Sequence, residues 1–321
     1  MTRDGAASPG SRDASVAVFG SINVDRMRRV SREEAERLAD EHDWFPERGE
    51  TTPVESPPAD FDAETTRLGG KGANQVVAAA HAGAETAMFG AVGADASAFG
   101  VRETLRGEGV DASAVQTRGD VTGAAYIWVE PDGENRIAIV AGANDDLDES
   151  YVASHVDRVA AADAVLLQNE VPVDAAVALL DALDAAGGER CVVVDPAPAA
   201  GAAPLVSHPA VDAVTPNESE FAALADALAD FDGAVVKTEG ADGVSVELPG
   251  TSFHVPSPTV DVVDTTGAGD AFAGYFAAEL GAGTGYERAV ERAVAAGALA
   301  CTAEGAMTSP DRDAVSELLS E

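Results

Sequence analysis

The sequence predicts an α/β protein, built on a doubly wound, mostly parallel sheet with a small extra β-sheet. Three observations predict it. From residue 69 onward, short apolar runs rich in Val, Ala and Leu alternate with helical stretches, the pattern of a parallel sheet covered on both faces. Hydrophobic residues make up 46% of the chain but aromatics only 5%, so the core is made of small aliphatic side chains, which suits helices packed closely on such a sheet. Twice the alternation is broken by paired β-rich runs joined by a turn, which read as antiparallel hairpins.

Taken in order, residues 1–15 are a flexible polar tail, and VAVFGSINVD (16–25) is a buried first strand ending in Gly, Asn and Asp. Ser31 and Glu34 form a capping box for a charged helix over 31–41, followed by a Pro- and acid-rich loop or edge segment. GKGANQVVAAAHAG is helical, TAMFGAVG a strand and DASAFGVRETLRGEG helical. TGAAYIWVE and NRIAIVAG form the first hairpin around Pro131-Asp132-Gly133-Glu134. Then come AVLLQNE (strand), VDAAVALLDALDAAG (helix), CVVVDPAPA (strand), AVTPNE (strand end), SEFAALADAL (helix), GAVVKTEG (strand) and the hairpin VSVELPGTSFHVP. Two Ala-rich helices, GAGDAFAGYFAAEL and YERAVERAVAAGALA, close a main domain over 16–310, leaving a C-terminal helix or tail over 311–321. The two interruptions, about 24–68 and 119–140, are placed to pair into one small sheet over the site.

The formal charge is -36, from 56 acidic and 20 basic residues. Nucleic-acid binding needs a basic stripe and an anionic membrane needs a basic face, so neither partner is expected. No apolar run has the length of a membrane span, and the N-terminus lacks an apolar signal region, so a soluble cytoplasmic protein is expected. Of the basic residues 18 are Arg and only Lys71 and Lys237 are Lys. Such an acidic, Lys-poor composition fits a salt-rich cytoplasm, where screening weakens self-repulsion. Cys191 and Cys301 read as reduced core thiols. The five His residues show no metal-ligand spacing, and neither HExxH nor GxSxG occurs, so a zinc hydrolase or serine esterase is a poor fit.

The strongest chemical signal is Asp264-Thr265-Thr266-Gly267-Ala268-Gly269-Asp270, directly before a helical run. Glycines leave the N–H groups of a first helical turn bare, so an anion can rest against the positive end of the helix dipole. Asp270 in that turn suits a base that takes the proton of an attacking hydroxyl, or serves only as a helix cap. Gly69-Gly70-Lys71-Gly72-Ala73-Asn74 is a second Gly-rich helix entry without P-loop order. Its lysine could hold sugar hydroxyls or a phosphate, or could simply extend along the helix start. Lys237 in VVKTEG could neutralise phosphates or pair with a carboxylate. Asn217 and Glu220 in TPNESE could help hold Mg²⁺, or mark an ordinary helix start.

In order, GSINVD (20–25), GGKGANQ (69–75), AGAN (141–144), DPAPA (195–199), TPNESE (215–220), VKTEG (236–240) and DTTGAGDAF (264–272) closely resemble the motifs of the ribokinase-like (PfkB) carbohydrate kinases. The resemblance spans about 16–310. It implies a Rossmann-like domain with a small β-sheet lid, transferring the γ-phosphoryl of ATP to a sugar hydroxyl with Mg²⁺, and D-ribose phosphorylated at its 5-hydroxyl. By resemblance, Asn23, Asp25, Gly70, Lys71, Asn74 and Glu170 hold the sugar. Asp270 is then the base, Gly267, Ala268 and Gly269 are the anion hole, and Asn217, Glu220, Thr238 and Gly240 lie along the nucleotide and its metal.

The family's potassium site, made largely of backbone carbonyls, corresponds to Asp264, Thr266, Ala300, Ala303, Gly305 and Ser309, with Ala303 replacing the usual Arg. A homodimer through the lid is also implied. The clearest departure is the longer segment between Asp25 and Gly69. Alternative readings are another sugar acceptor (2-keto-3-deoxygluconate, fructose, deoxyribose), a nucleoside acceptor, or a sensor that binds sugar and nucleotide without catalysis.

Overall fold

The protein is described by a computed structural model covering residues 14–59 and 61–320. The tail expected over 1–15 therefore lies outside the described residues, apart from Ala14 and Ser15. Strand β1 (Ser15–Phe19) divides its side chains between two cores, Val16 and Val18 entering one and Ala17 and Phe19 the other. A strand buried on both faces requires that split.

The single strand expected over 16–25 is corrected here. The chain leaves the large sheet at Gly20 and begins β2 (Asn23–Arg29) in a different sheet. Glycine permits the turn-off, because a Cβ at residue 20 would fall 1.7 Å from Gln168 Oε1. Helix α1 (Arg32–Glu41) forms with Ser31 Oγ accepting from Glu34 N at 3.2 Å. The reciprocal half of the capping box does not form, since the Glu34 carboxylate is drawn to Arg28 instead.

Next come β3 (Thr51–Pro53), β4 (Thr65–Gly69), α2 (Lys71–His81), β5 (Glu85–Phe89), β6 (Ala91–Val92), α3 (Val101–Gly107), β7 (Gln116–Thr117), β8 (Gly123–Val129) and β9 (Asn135–Val140). Helix α4 (Glu149–Ala160) has no counterpart among the elements expected from sequence. Its apolar face of Tyr151, Val152 and Val159 is broken up by Ser, His, Asp and Arg, which blurs the helical period.

The second half contains β10 (Ala164–Gln168), α5 (Val173–Ala186), β11 (Cys191–Asp195), α6 (Ala203–Val206), β12 (Ala213–Val214), α7 (Glu218–Ala223), α8 (Ala225–Leu228) and β13 (Ala234–Thr238). It ends with the hairpin β14 (Val244–Leu248) and β15 (Thr251–Val255), then α9 (Ala268–Gly281), α10 (Tyr286–Ala300) and α11 (Arg312–Leu318).

The large sheet has the order β15-β14-β13-β12-β11-β10-β1-β5. It is parallel from β5 to β13 and antiparallel through β14 and β15. Helices α2, α9 and α10 share one core cluster with it, and α4 and α5 share the opposite one. The chain runs from β1 to β5 on one side and returns to β10 on the other. This reversal opens a crevice at the carboxyl ends of β1 and β10, where ligands of such sheets bind.

The two interrupting segments do pair into one small sheet, ordered β3-β9-β8-β2-β4. Its register sets Asp25 opposite both Arg67 and Ala125, so these residues share the face turned to the crevice. The other face carries Tyr126, Trp128, Ala138 and Val140. It is covered by the chain's own 31–61 region, whose Ala35, Phe45 and Phe61 complete a third core.

Candidate active site

Three strand ends and two helix starts meet in the crevice. Ser21 follows β1, Glu170 follows β10 and Asp195 ends β11, while α2 and α9 point their first turns at them. Lys71, Asn74 and Gln75 lie at i, i+3 and i+4 of α2, on one face. Asp270, in the first turn of α9, is buried at 7% exposure.

The Asp270 carboxylate accepts from Asn74 Nδ2 and Gln75 Nε2, both at 2.9 Å, and Lys71 Nζ stands 3.8 Å from it. The same Gln75 Nε2 donates to Asp195 Oδ2 at 2.6 Å, and Lys71 Nζ lies 3.6 Å from that oxygen. Gln75 Oε1 in turn accepts from Gln168 Nε2 at 2.6 Å, which fixes the Gln75 amide orientation. Asn74 Oδ1 is buried with no protein partner among the described residues, an acceptor available to a ligand hydroxyl. Glu170 Oε2 accepts from Ser21 Oγ at 2.5 Å and Lys71 N at 3.1 Å. Asn23 Oδ1 accepts from Asn144 Nδ2 at 2.8 Å, and Asn144 Oδ1 accepts from Ile22 N at 3.0 Å.

Electrostatics follow from this crowding. Burial raises the Asp270 carboxyl to about 6, with Lys71 opposing the rise and Asp195 adding to it. Burial also raises Asp25 to about 7, reinforced by Glu170 and then Asp270. For Lys71, burial pulls downward, but Asp195, Asp270 and Glu170 together hold its ammonium above the ordinary lysine range.

Helix α9 starts at Gly267, whose φ of 78° lies in the left-handed region, and no side chain caps it. A Cβ at residue 267 would fall 2.1 Å from Ala306 O, whereas one at Gly269 would meet nothing within 4 Å. The first turn is thus open on the side where an anion would sit. Gly70, with φ 88°, caps α2 in the same manner and without a side-chain bond.

The predicted sugar residues Asn23, Asp25, Gly70, Lys71, Asn74 and Glu170 therefore share one crevice with Asp270 and Gly267, Ala268 and Gly269. The nucleotide set is more dispersed. Asn217 and Glu220 form a reciprocal capping box at the start of α7, each accepting from the other's N–H at 2.9 Å. Burial raises the Glu220 carboxyl, with Asp195 adding and Lys71 opposing, so it feels the central cluster. Thr238 ends β13, its N–H donating to Pro216 O at 2.9 Å, and Gly240 lies exposed just beyond. Lys237 pairs with Glu239 at 2.8 Å over the Phe221 ring, which places it with a carboxylate.

Around the predicted cation loop, Asp264 accepts from Thr266 N at 2.9 Å and from Gly305 N at 2.9 Å. The carbonyls of Ala300 and Gly305 converge on the Thr308 hydroxyl at 3.0 and 3.1 Å. Ser309 contacts His81 Nδ1 at 2.9 Å instead. Among the described residues no group of three or more His, Cys, Asp or Glu side chains is placed to hold a metal ion, and no helix is long and apolar enough to cross a membrane.

Gln75, Asn144 and Asp195 lie within the motifs GGKGANQ, AGAN and DPAPA but carried no assigned role, and Gln168 lies outside every motif. Gln75 had a usable signal, its i, i+4 spacing from Lys71. Asp195 ends a parallel strand, where ligand-facing carboxylates are common.

A buried carboxylate beside an uncapped helix start, facing amide and carboxylate groups that match hydroxyls, suits phosphoryl transfer to a small polyol. Comparison with known proteins agrees. Residues 53–313 match the pfkB family carbohydrate kinase. The chain is 36% identical over 265 residues to a ribokinase from Bacillus subtilis, covering 78% of this chain and 87% of that one. It is also 36% identical over 279 residues to an ATP-dependent ribose-1-phosphate kinase from Halopiger xanaduensis, covering 83% and 92%. The structure of Arabidopsis thaliana ribokinase complexed with ribose and ATP superposes with a TM-score of 0.79 at 28% identity, covering 97% of this chain and 100% of that one. The chain belongs to the pfkB carbohydrate kinases. It is a sugar kinase of the ribokinase-like type.

Proposed function

We propose that this kinase uses ATP to phosphorylate D-ribose at the 5-hydroxyl. The observation that carries the proposal is the Asp270 carboxylate, oriented by Asn74 and Gln75 at 2.9 Å and set against the open first turn of α9. Asn23, Asp25, Asn74 Oδ1 and Glu170 bind the sugar hydroxyls. Asp270 takes the proton of the 5-hydroxyl as its oxygen bonds to the terminal phosphorus, the bond to the bridging oxygen breaks, and ADP leaves. The N–H groups of the α9 first turn and Lys71 stabilise the charge on the transferring group.

Mg²⁺, when bound, neutralises nucleotide phosphate charge. Glu220, whose carboxylate feels the central cluster, would hold it together with phosphate oxygens and water. Asp264 and the carbonyls of Ala300 and Gly305 are hard oxygen donors of the kind a potassium ion takes. The small sheet acts as the lid, excluding water when closed. A homodimer through this sheet would use its edges or its crevice-facing side, since the outer face is already covered by residues 31–61.

A second acceptor, ribose 1-phosphate, is favoured by the Halopiger xanaduensis relative at 36% identity. A coupled ADP-release assay in molar KCl over ribose, ribose 1-phosphate, deoxyribose, fructose, 2-keto-3-deoxygluconate and nucleosides tests both readings. Ribose should give the highest kcat/KM, and a preference for ribose 1-phosphate would move the assignment to the second acceptor.

A further inference from the structure

We propose that Arg67 is a phosphoryl-binding side chain of the crevice, supplied by the small sheet. The inference rests on the kinase reading above and adds a residue to it. Strand register puts Arg67 directly opposite Asp25, on the face turned to the sugar site. Its guanidinium reaches out of the small sheet to the loop after α10, where Nη1 lies 3.4 Å from Glu304 O. That loop borders the start of α9: Gly305 N donates to Asp264 Oδ2 at 2.9 Å, and Ala306 O lies against Gly267. Arg67 therefore spans from the sugar-facing sheet to the rim of the anion-binding turn.

Charge explains why a cation is needed there. Asp25, Glu170, Asp195, Glu220, Asp264 and Asp270 all surround the crevice, and a phosphorylated ligand adds more negative charge. Lys71 is shared between Asp195 and Asp270 at 3.6 and 3.8 Å, and Lys237 is paired with Glu239 at 2.8 Å. Arg67 is exposed and makes no ion pair within 4.0 Å among the described residues, although its charge helps hold the Asp264 carboxyl below its ordinary value; its one hydrogen bond, to a carbonyl, is long. Most of its donors remain available, and a guanidinium fork matches phosphate oxygens in a way a lysine does not. The phosphoryl group has two possible sources, the terminal phosphate of the nucleotide or a phosphate carried by the acceptor sugar.

The test compares wild type with Arg67→Met and Arg67→Lys in the full chain. Calorimetric binding of ADP, the β,γ-imido analogue of ATP, ribose and ribose 1-phosphate is measured beside kcat and KM. If Arg67 holds the terminal phosphate, Arg67→Met weakens the analogue about tenfold and leaves ADP within about twofold, the loss expected for one charge-assisted contact. It also lowers kcat on ribose, and Arg67→Lys recovers part of both losses. If Arg67 holds an acceptor phosphate, the variant loses affinity for ribose 1-phosphate alone.

Either pattern supports the proposal. It is overturned if Arg67→Met keeps the wild-type ratios of analogue to ADP and of ribose 1-phosphate to ribose. It is equally overturned if all four ligands weaken together with a lowered Tm, since Arg67 would then only tie the sheet to the 304–305 loop. Should wild type turn over no sugar, the acceptor reading fails, while the binding ratios still decide Arg67.

Discussion

Lys71 Nζ stands 3.8 Å from Asp270 Oδ1, so the proposed base shares its site with the cation that keeps it ionised. Removing that cation in Lys71→Met leaves Asp270 and Asp195 facing each other uncompensated. The variant should lose roughly 3 kcal/mol of stability, the lower end for a buried charge deprived of its partner. Thermal unfolding would measure it. The acid limb of kcat/KM should also move upward from about 6, because Lys71 opposes the rise in the Asp270 pKa.

Asp270→Ala should lower kcat by about 10²–10⁴-fold, the usual contribution of general-base catalysis, while the fold persists. An unchanged kcat would remove Asp270 from the role. The wild-type pH profile supplies an independent check. The base works only when ionised and its pKa in the free enzyme is raised to about 6, so kcat/KM should fall about tenfold per unit below that pH.

Asp25 gives a stability prediction of definite sign. Its folded pKa, raised to about 7, lies above the unfolded value of 3.8. Stability associated with its neutral form is therefore fully present below about pH 3.8 and lost as pH rises through about 7. Asp25→Asn removes this penalty. Without ligand, its denaturation midpoint should match wild type near pH 4 and exceed it near pH 8, by an amount on the order of 2–4 kcal/mol. Sugar binding should be lost in the same variant, and an equal midpoint at both pH values would refute the assignment of Asp25 as a strained site carboxylate.

Gly267→Ala combines two costs, a left-handed φ of 78° and a Cβ 2.1 Å from Ala306 O. Relief requires the 304–306 loop to move away from α9. The variant should lose about 1–3 kcal/mol from backbone strain alone. Its affinity for ATP should fall further than its affinity for sugar, read by calorimetry with each ligand.

Much of this site is legible in the sequence because glycines and carboxylates at strand ends and helix starts have few other uses. Asp270, Gly267, Lys71 and Asn74 fall in motifs whose local geometry already points at an anion and a hydroxyl. What sequence could not convey is contact across the fold. Gln75 gains meaning only when α2 packs beside the end of β11, which brings Asp195 within 2.6 Å of its amide. Arg67 reads as one more surface charge until the register with β2 places it opposite Asp25. The two lysines invite the same role by their rarity, yet Glu239 holds Lys237 and only Lys71 enters the central cluster. The strand expected over 16–25 fails for a related reason. Its β-rich run is continuous along the chain, while the need for glycine at the step between sheets comes from Gln168, nearly 150 residues away.

The covering of the small sheet has an optical consequence. Both tryptophans of the chain, Trp44 and Trp128, belong to its aromatic cluster, with ring centroids 6.2 Å apart, and the large sheet contains none. Intrinsic tryptophan emission from this protein therefore reports on one layer only. Changes in that emission on adding a ligand would follow the small sheet and its covering segment, without a label.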